Sequence, residues 1–304
     1  MKRHYGPLAP ARALLLKLGL ACLACCLSLG AYAFASPEAL LAKHDELREQ
    51  LRSNNFQRAL HIDSSESGDT LNGDVYAVLD HPFSVVSNAL TDPGDWCDIL
   101  ILPFNTKYCH AVEANGAAAR LLVWIGRKFD QPLQDAYRLE VVLRPVAATP
   151  EYYESRLNAA TGPLGTRDYR ITVSAVPLDA RRTFMHLSYS YGYGIVGRLA
   201  MQAYLATVGA DKVGFTVTGR DGNGQLIYIG GVRGAIERTA MRYYLAIDAH
   251  LASLGVPADR QLEERIGTWF NASERYPRQL HEMDRGTYLA MKRGEYARQQ
   301  AKLP

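Results

Sequence analysis

The sequence predicts an α+β fold: a curved antiparallel sheet holding a long C-terminal helix, with an N-terminal helix before it and a charged helical tail after it. Three observations predict this. Between residues 107 and 193, five strand-like runs follow one another with only Gly, Pro or Asp turn material between them, and strands joined by short turns must pair antiparallel. The runs alternate, so that Tyr137, Leu139, Val141 and Leu143 fall on one side and Arg138, Glu140 and Arg144 on the other, which gives one apolar face and one wet face. After Gly230-Gly231, residues Ile236, Ala240, Tyr243, Tyr244, Ile247, Leu251 and Leu254 recur at helical spacing, a stripe wide enough to cover a sheet face.

Composition narrows the function classes. The chain has 304 residues, 48% hydrophobic and 21% charged, so it buries a core and is neither disordered nor fibrous. The net charge of +3 comes from the first 35 residues, which hold Lys2, Arg3, Arg12 and Lys17 and no acid. The rest carries 30 basic and 31 acidic side chains, a net of −1. Such a body has no field to gather a polyanion, and no nucleic-acid partner is expected.

Residues 1–35 read as an export signal, with a basic start, an uncharged apolar run over 18–35, and Ala31, Ala33 and Ala35 ahead of Ser36-Pro37. Cleavage after Ala33 or Ala35 is expected; the alternative is an uncleaved inner-membrane anchor, since 18 apolar residues just span a bilayer. Either way the body is expected outside the cytoplasm, in the periplasm of a Gram-negative source and otherwise secreted. Cys22, Cys25 and Cys26 fall in this segment, which leaves Cys97 and Cys109. In an oxidising compartment that pair predicts a disulfide.

Along the body, a helix over residues 37–60 opens on Ser36 as cap and Pro37 as first residue, and a polar stretch over 61–72 reads as linker. The main domain is expected over 73–255. A strand at 74–79 is broken by Asp80-His81-Pro82, a helix follows at 83–90, and Asp92-Pro93-Gly94-Asp95 makes a second break before Trp96. The strand runs are 119–128, 137–146, 152–159, 169–176 and 184–193. Tyr169, Ile171 and Val173 oppose Arg170, Thr172 and Ser174, and Tyr189, Tyr191 and Tyr193 oppose Ser188, Ser190 and Gly192. A largely apolar helix spans 195–208, with Ile195 its first residue and Val208 its last; a hairpin over 212–218 and 225–229 turns at Asp221-Gly222-Asn223-Gly224. The long helix ends at Gly255 and Pro257. The tail over 256–304 holds 16 charged residues from Asp259 onward yet keeps Leu262, Ile266, Trp269, Leu280, Met283 and Met291 at helical spacing, so packing on the main domain is preferred to docking on a partner.

The stretch DHPFSVVSNALTDPGDW over residues 80–96, followed by the meander and the terminal amphipathic helix, resembles the helix-grip superfamily of START lipid-transfer domains and birch-pollen-allergen-like proteins. The resemblance covers about residues 73–254. It implies a sheet that grips the long helix around a cavity for a hydrophobic, lipid-like small molecule. The side chains expected to line it are Tyr137, Leu139, Val141, Tyr169, Ile171, Val173, Tyr189, Tyr191, Tyr193, Phe215 and Tyr244. The residues themselves are compatible: tyrosine outnumbers phenylalanine by 18 to 8, which supplies apolar bodies with polar handles. The same tyrosines serve equally as half-buried sheet residues, an alternative that periodicity leaves open. The expected function is an exported binding or carrier protein; the alternatives are a hydrolase or cyclase in the same cavity, or a scaffold acting through its tail. The 195–208 helix reads as a core helix, or else as a gate or membrane-touching lid with Met201 and Tyr204 at the interface.

Other motifs carry less. Gly192-x-Gly194-x-x-Gly197 with Asp211 matches a dinucleotide fingerprint, but the strand before it alternates Ser and Tyr where a buried parallel strand would be apolar throughout, and Asp211 precedes the next strand. Gly-x-Ser-x-Gly, phosphate-loop and His-Glu-x-x-His patterns are missing, and the histidines show no i, i+4 pairing. No catalytic residue, cofactor or metal is therefore assigned. Arg233 and Glu237 read as an exposed ion pair, and Arg238 with Arg242 as a solvated face or, less simply, a seat for an anionic head group.

Overall fold

The structure is a computed structural model and describes Met1 and residues 36–112, 118–207 and 209–301. The rest of the segment read as an export signal, and Val208, lie outside the described residues. Helix α1 (Pro37–Glu46) begins as expected: the Ser36 hydroxyl accepts from the Ala39 amide at 3.2 Å and Pro37 takes the first helical position. A short α2 (Arg48–Arg52) continues it. Leu40 is buried, and His44 packs edge-on against Phe184 at 5.0 Å, which places α1 on the outer face of the sheet.

The stretch expected as a linker is instead β1 (Leu60–Ser67) and the start of β2 (Thr70–Leu79). They form a hairpin around Gly68, whose φ of +61° is the left-handed backbone that a glycine adopts without strain. Its polarity hid the strand: β1 is an edge strand with one wet face, and ladder hydrogen bonds form whatever the side chains. Helix α3 (Phe83–Thr91) matches expectation. The Asp92-Pro93-Gly94-Asp95 break is the capped start of α4 (Pro93–Leu100), with the Asp92 carboxylate accepting from the amides of Gly94 at 2.7 Å and Asp95 at 3.0 Å.

Strand β3 (Thr106–Val112), not anticipated, is followed by β4 (Ala119–Ile125), β5 (Tyr137–Ala148), β6 (Tyr153–Thr161), β7 (Thr166–Pro177) and β8 (Thr183–Tyr193). The sheet order is β1-β2-β8-β7-β6-β5-β4-β3, antiparallel throughout. Only β2 lacks its successor as neighbour, because α3 and α4 carry the chain to the far edge. Across the inner face Val123 pairs with Leu139, Leu157 with Ile171, and Ile171 with Tyr189.

Helix α5 (Ile195–Ala206) follows, then a separate two-stranded ribbon, β9 (Val217–Arg220) with β10 (Leu226–Tyr228), shorter than the expected hairpin. Helix α6 (Gly231–Ser253) lies against the inner face of the sheet. It approaches so closely at Gly73 that a Cβ there would meet the Ile236 side chain and carbonyl at 3.2 Å. The tail forms α7 (Ala258–Ser273), α8 (Pro277–Leu280) and α9 (Arg285–Gln300). Trp269, Leu280 and Tyr288 are fully buried, and Trp269 and Tyr288 pack edge-on against Phe104 at 5.0 and 5.3 Å. The Cys97–Cys109 disulfide is present and ties α4 to β3, with Cα atoms 5.2 Å apart. No helix among the described residues is long and apolar enough to cross a membrane.

Candidate functional site

Between the sheet and α6 the interior is hollow. Two adjoining chambers of about 180 and about 590 Å³ share Asn105, Pro163, Tyr169, Tyr189 and Tyr243 as a common wall. The smaller is lined by Val123, Ile125, Leu139, Val141, Leu157 and Ile171 from the strands and Leu100 from α4, with Arg170 the only charged residue among the described ones that line it. The alternation of β4 to β7 turns these side chains inward. The larger chamber opens toward α5, which contributes Arg198, Met201 and Tyr204. Its volume lies within the roughly 300–1,000 Å³ usual for small-molecule sites.

The expected lining residues separate into four groups. Leu139, Val141 and Ile171 line the smaller chamber, Tyr191 and Tyr193 the larger, and Tyr169 and Tyr189 both. Four line neither. Tyr137 sits at the end of its strand, 41% exposed; Val173 is packed solid in the core. Phe215 packs at a tilt on Phe56 and edge-on against Tyr276, and Tyr244 lies under the Arg58 guanidinium at 5.1 Å. Strand alternation fixes which face a side chain takes; where along the strand the hollow begins depends on the path of α6.

The shared wall is a belt of tyrosines. Tyr169 stacks on Tyr191 with ring centroids 5.3 Å apart, and Tyr189 meets Tyr243 at 5.3 Å. Burial, reinforced by the neighbouring phenols, pushes the hydroxyls of Tyr169, Tyr189, Tyr191 and Tyr243 above their ordinary value, so all four stay neutral and able to donate. Tyr169 donates to the Thr166 hydroxyl at 2.7 Å.

The far side of the larger chamber is basic. Arg127, Lys128, Arg198, Arg238 and Arg242 line it against one acid, Glu66, which accepts from the Tyr193 hydroxyl at 2.7 Å. Lys128 and Arg242 both donate to Glu282 Oε1 at 2.6 Å. Burial lifts the Glu282 carboxyl, but Arg242 and Lys128 outweigh it and hold the group below the ordinary carboxylate value. Burial likewise raises Tyr204, yet Lys128 and Arg238 bring its phenol below the ordinary value. Arg238 and Arg242 are thus not a solvated face. One sign of this is visible in the sequence: both sit on the helix that carries Tyr243, four residues apart.

Helix α5 is not a core helix either. Only Gly197 in it is buried, while Ile195, Val196 and Leu199 are 81, 62 and 60% exposed. Leu164, from the turn between β6 and β7, is 64% exposed. Gly192-x-Gly194-x-x-Gly197 joins an antiparallel strand to this helix, which removes the dinucleotide reading, since that motif needs a parallel βαβ unit.

Two further polar groups lie outside the chambers. Glu237 does not pair with Arg233; fully buried, it accepts from the Ser64 hydroxyl and the Phe215 amide at 2.6 Å, and from the Thr216 hydroxyl and amide at 2.7 and 2.9 Å. It thereby ties α6 to β1 and to the chain before β9. Asp95, Asp98 and His250 bring ligand atoms within 4.8 Å of one another, a grouping that i, i+4 spacing does not reveal. Arg265 already forms an ion pair with Asp98, so the cluster reads as a junction of α4, α6 and α7.

A curved antiparallel sheet around one long helix, with a hollow between them, is a helix-grip fold. No family model matches the chain, and no curated protein matches it. Among solved structures it is similar to a conserved protein from Geobacillus kaustophilus, at 15% identity and a TM-score of 0.35, over 60% of this chain and 95% of that one. It is also similar to norcoclaurine synthase from Thalictrum flavum in complex with dopamine and hydroxybenzaldehyde, at 14% and 0.32, over 48% and 88%. A third likeness is to Ara h 8.0201, at 11% and 0.29, over 49% and 91%. Similarity at this level says nothing about chemistry.

Proposed function

We propose that the chain is a binding or carrier protein for a hydrophobic, lipid-like small molecule held between sheet and α6, and that it works outside the cytoplasm. The observation that carries this reading is the paired hollow, apolar at one end and walled by neutral tyrosines. A lipid tail of about sixteen methylenes costs on the order of 13 kcal/mol to expose to water, at about 0.8 kcal/mol per methylene, so a carrier must enclose most of it. The disulfide supports the extracytoplasmic location, since such bonds persist in oxidising compartments. Binding is favoured over catalysis because the described lining holds neither histidine nor cysteine, and its one carboxylate, Glu66, is engaged by Tyr193. It is favoured over a partner-binding tail because Ile266, Trp269, Leu280 and Met291 of the tail are already buried, with Leu262 and Met283 half-buried against the same core.

Access beneath α5 is part of this reading, with its exposed apolar side chains touching a lipid surface as the ligand is loaded. The test is uptake by delipidated protein from a panel of fluorescent fatty acids and sterols, with native mass spectrometry of the purified body for a co-purifying molecule. Binding in the micromolar range or tighter is expected. Protein that takes up none of the panel and carries no guest overturns the proposal.

A further inference from the structure

We propose that the ligand is an amphiphile with an anionic oxygen head group, a carboxylate or a phosphate, seated on Arg238 with Lys128 and Arg242 beside it. This deepens the carrier reading and rests on it. The first ground is charge. The body outside the first 35 residues is balanced, 30 basic against 31 acidic, yet the larger chamber is lined by five cations and one acid. Composition therefore does not account for the excess; the fold gathers it from three separate parts of the chain, the turn after β4, α5 and α6.

The second ground is the state of the guanidinium groups. Arg238 is 2% exposed and, among the described residues, donates only to neutral oxygens, the Val213 carbonyl at 3.2 Å and the Tyr204 hydroxyl at 3.4 Å. A buried cation without a counter-ion is strongly disfavoured unless an anion joins it. Arg242 shares Glu282 with Lys128, one carboxylate for two cations, and its Nε is buried without a partner. Lys212 stands behind them, its ammonium held below the ordinary value by burial and by the same cations.

The third ground is the order of polarity. The apolar chamber meets the basic one across Tyr169, Tyr189 and Tyr243, so a molecule lying through both would put its tail on Leu139 and Ile171 and its head on the arginines. Arginine suits this role, because its planar fork matches two oxygens of one head group.

The experiment uses delipidated full-length protein and three ligands of one chain length: dodecanoic acid, dodecyl phosphate and dodecanol. At least one of the two anions is expected to bind about tenfold or more tighter than the alcohol, and which one does so identifies the head. Arg238→Gln should bring the anion to the affinity of the alcohol and leave the alcohol unchanged. If that variant melts early, Lys128→Met, at a part-exposed side chain, should weaken the anion alone by a smaller factor. Equal affinity for all three in the wild type, or equal losses for anion and alcohol in the variants, overturns the head-group assignment and leaves the carrier reading standing. Binding of none of the three removes both.

Discussion

Single side chains decide the electrostatics of the hollow, and Glu282 is the clearest case. Its carboxyl is held below the ordinary value of 4.5 by Arg242 and Lys128 against the pull of burial. The folded chain therefore holds this group ionised at pH values where the unfolded chain has begun to protonate it. The stability it contributes is complete above pH 4.5 and is lost as pH falls through the lowered folded value. Urea midpoints of wild type and Glu282→Gln should differ at pH 7 and converge on acidification; a difference that stays constant to pH 3 contradicts the ion pair. At this scale the sequence was only partly legible. Tyr169, Tyr189 and Tyr191 could be placed on the inner face because strand alternation is strict. Lys128 could not be assigned a role, because it follows the end of β4 and acquires its partners, Tyr204 and Glu282, from α5 and the tail.

Helices α5 and α9 show how far an element can depart from its composition. The charged α9 is a latch: Lys107 and Lys292 both donate to Glu295, at 2.9 and 2.7 Å, and all three are buried. Burial presses the Lys292 ammonium down to about 8, with Glu295 opposing. Glu295→Ala strands two buried cations and should cost about 3–5 kcal/mol, read from chemical denaturation; a loss below about 1 kcal/mol shows the latch to be incidental. The apolar α5 is the converse, exposed where its composition suggested burial. Exchanging Ile195 and Leu199 for serine should abolish co-sedimentation with phospholipid vesicles while changing stability by no more than about 0.5 kcal/mol, as for most surface positions. Unchanged vesicle binding removes α5 from the loading route. Periodicity could not separate these cases, because an apolar stripe shows that a face is covered and not what covers it.

At the scale of the whole molecule, the sheet is one long antiparallel meander closed at β2 by β8, and the hollow exists because α6 touches only part of the inner face. At Gly73 the helix lies so close that even a Cβ would crowd the Ile236 side chain and carbonyl at 3.2 Å. Toward β4 to β6 the facing residues are Val123, Leu139 and Leu157, and the gap opens into the smaller chamber. The tail closes the far edge by packing Tyr288 and Lys292 on β3 and the chain before it. The hollow is thus a product of how the sheet and α6 pack together, which no single element encodes.

The α+β class, the antiparallel meander, the wet and apolar faces, the long covering helix and the Cys97–Cys109 bond could all be read from the order of residues. These follow from local periodicity, turn chemistry and the count of thiols, all of which act over short stretches of chain. It took the folded chain to reveal that residues 60–67 complete the sheet, that the tail is part of the core and that α5 is exposed. It alone brought Lys128, Arg238 and Arg242 to one end of a tyrosine-walled chamber. Those outcomes depend on contacts between residues far apart in the chain, where burial and charge are set by whatever the fold places opposite.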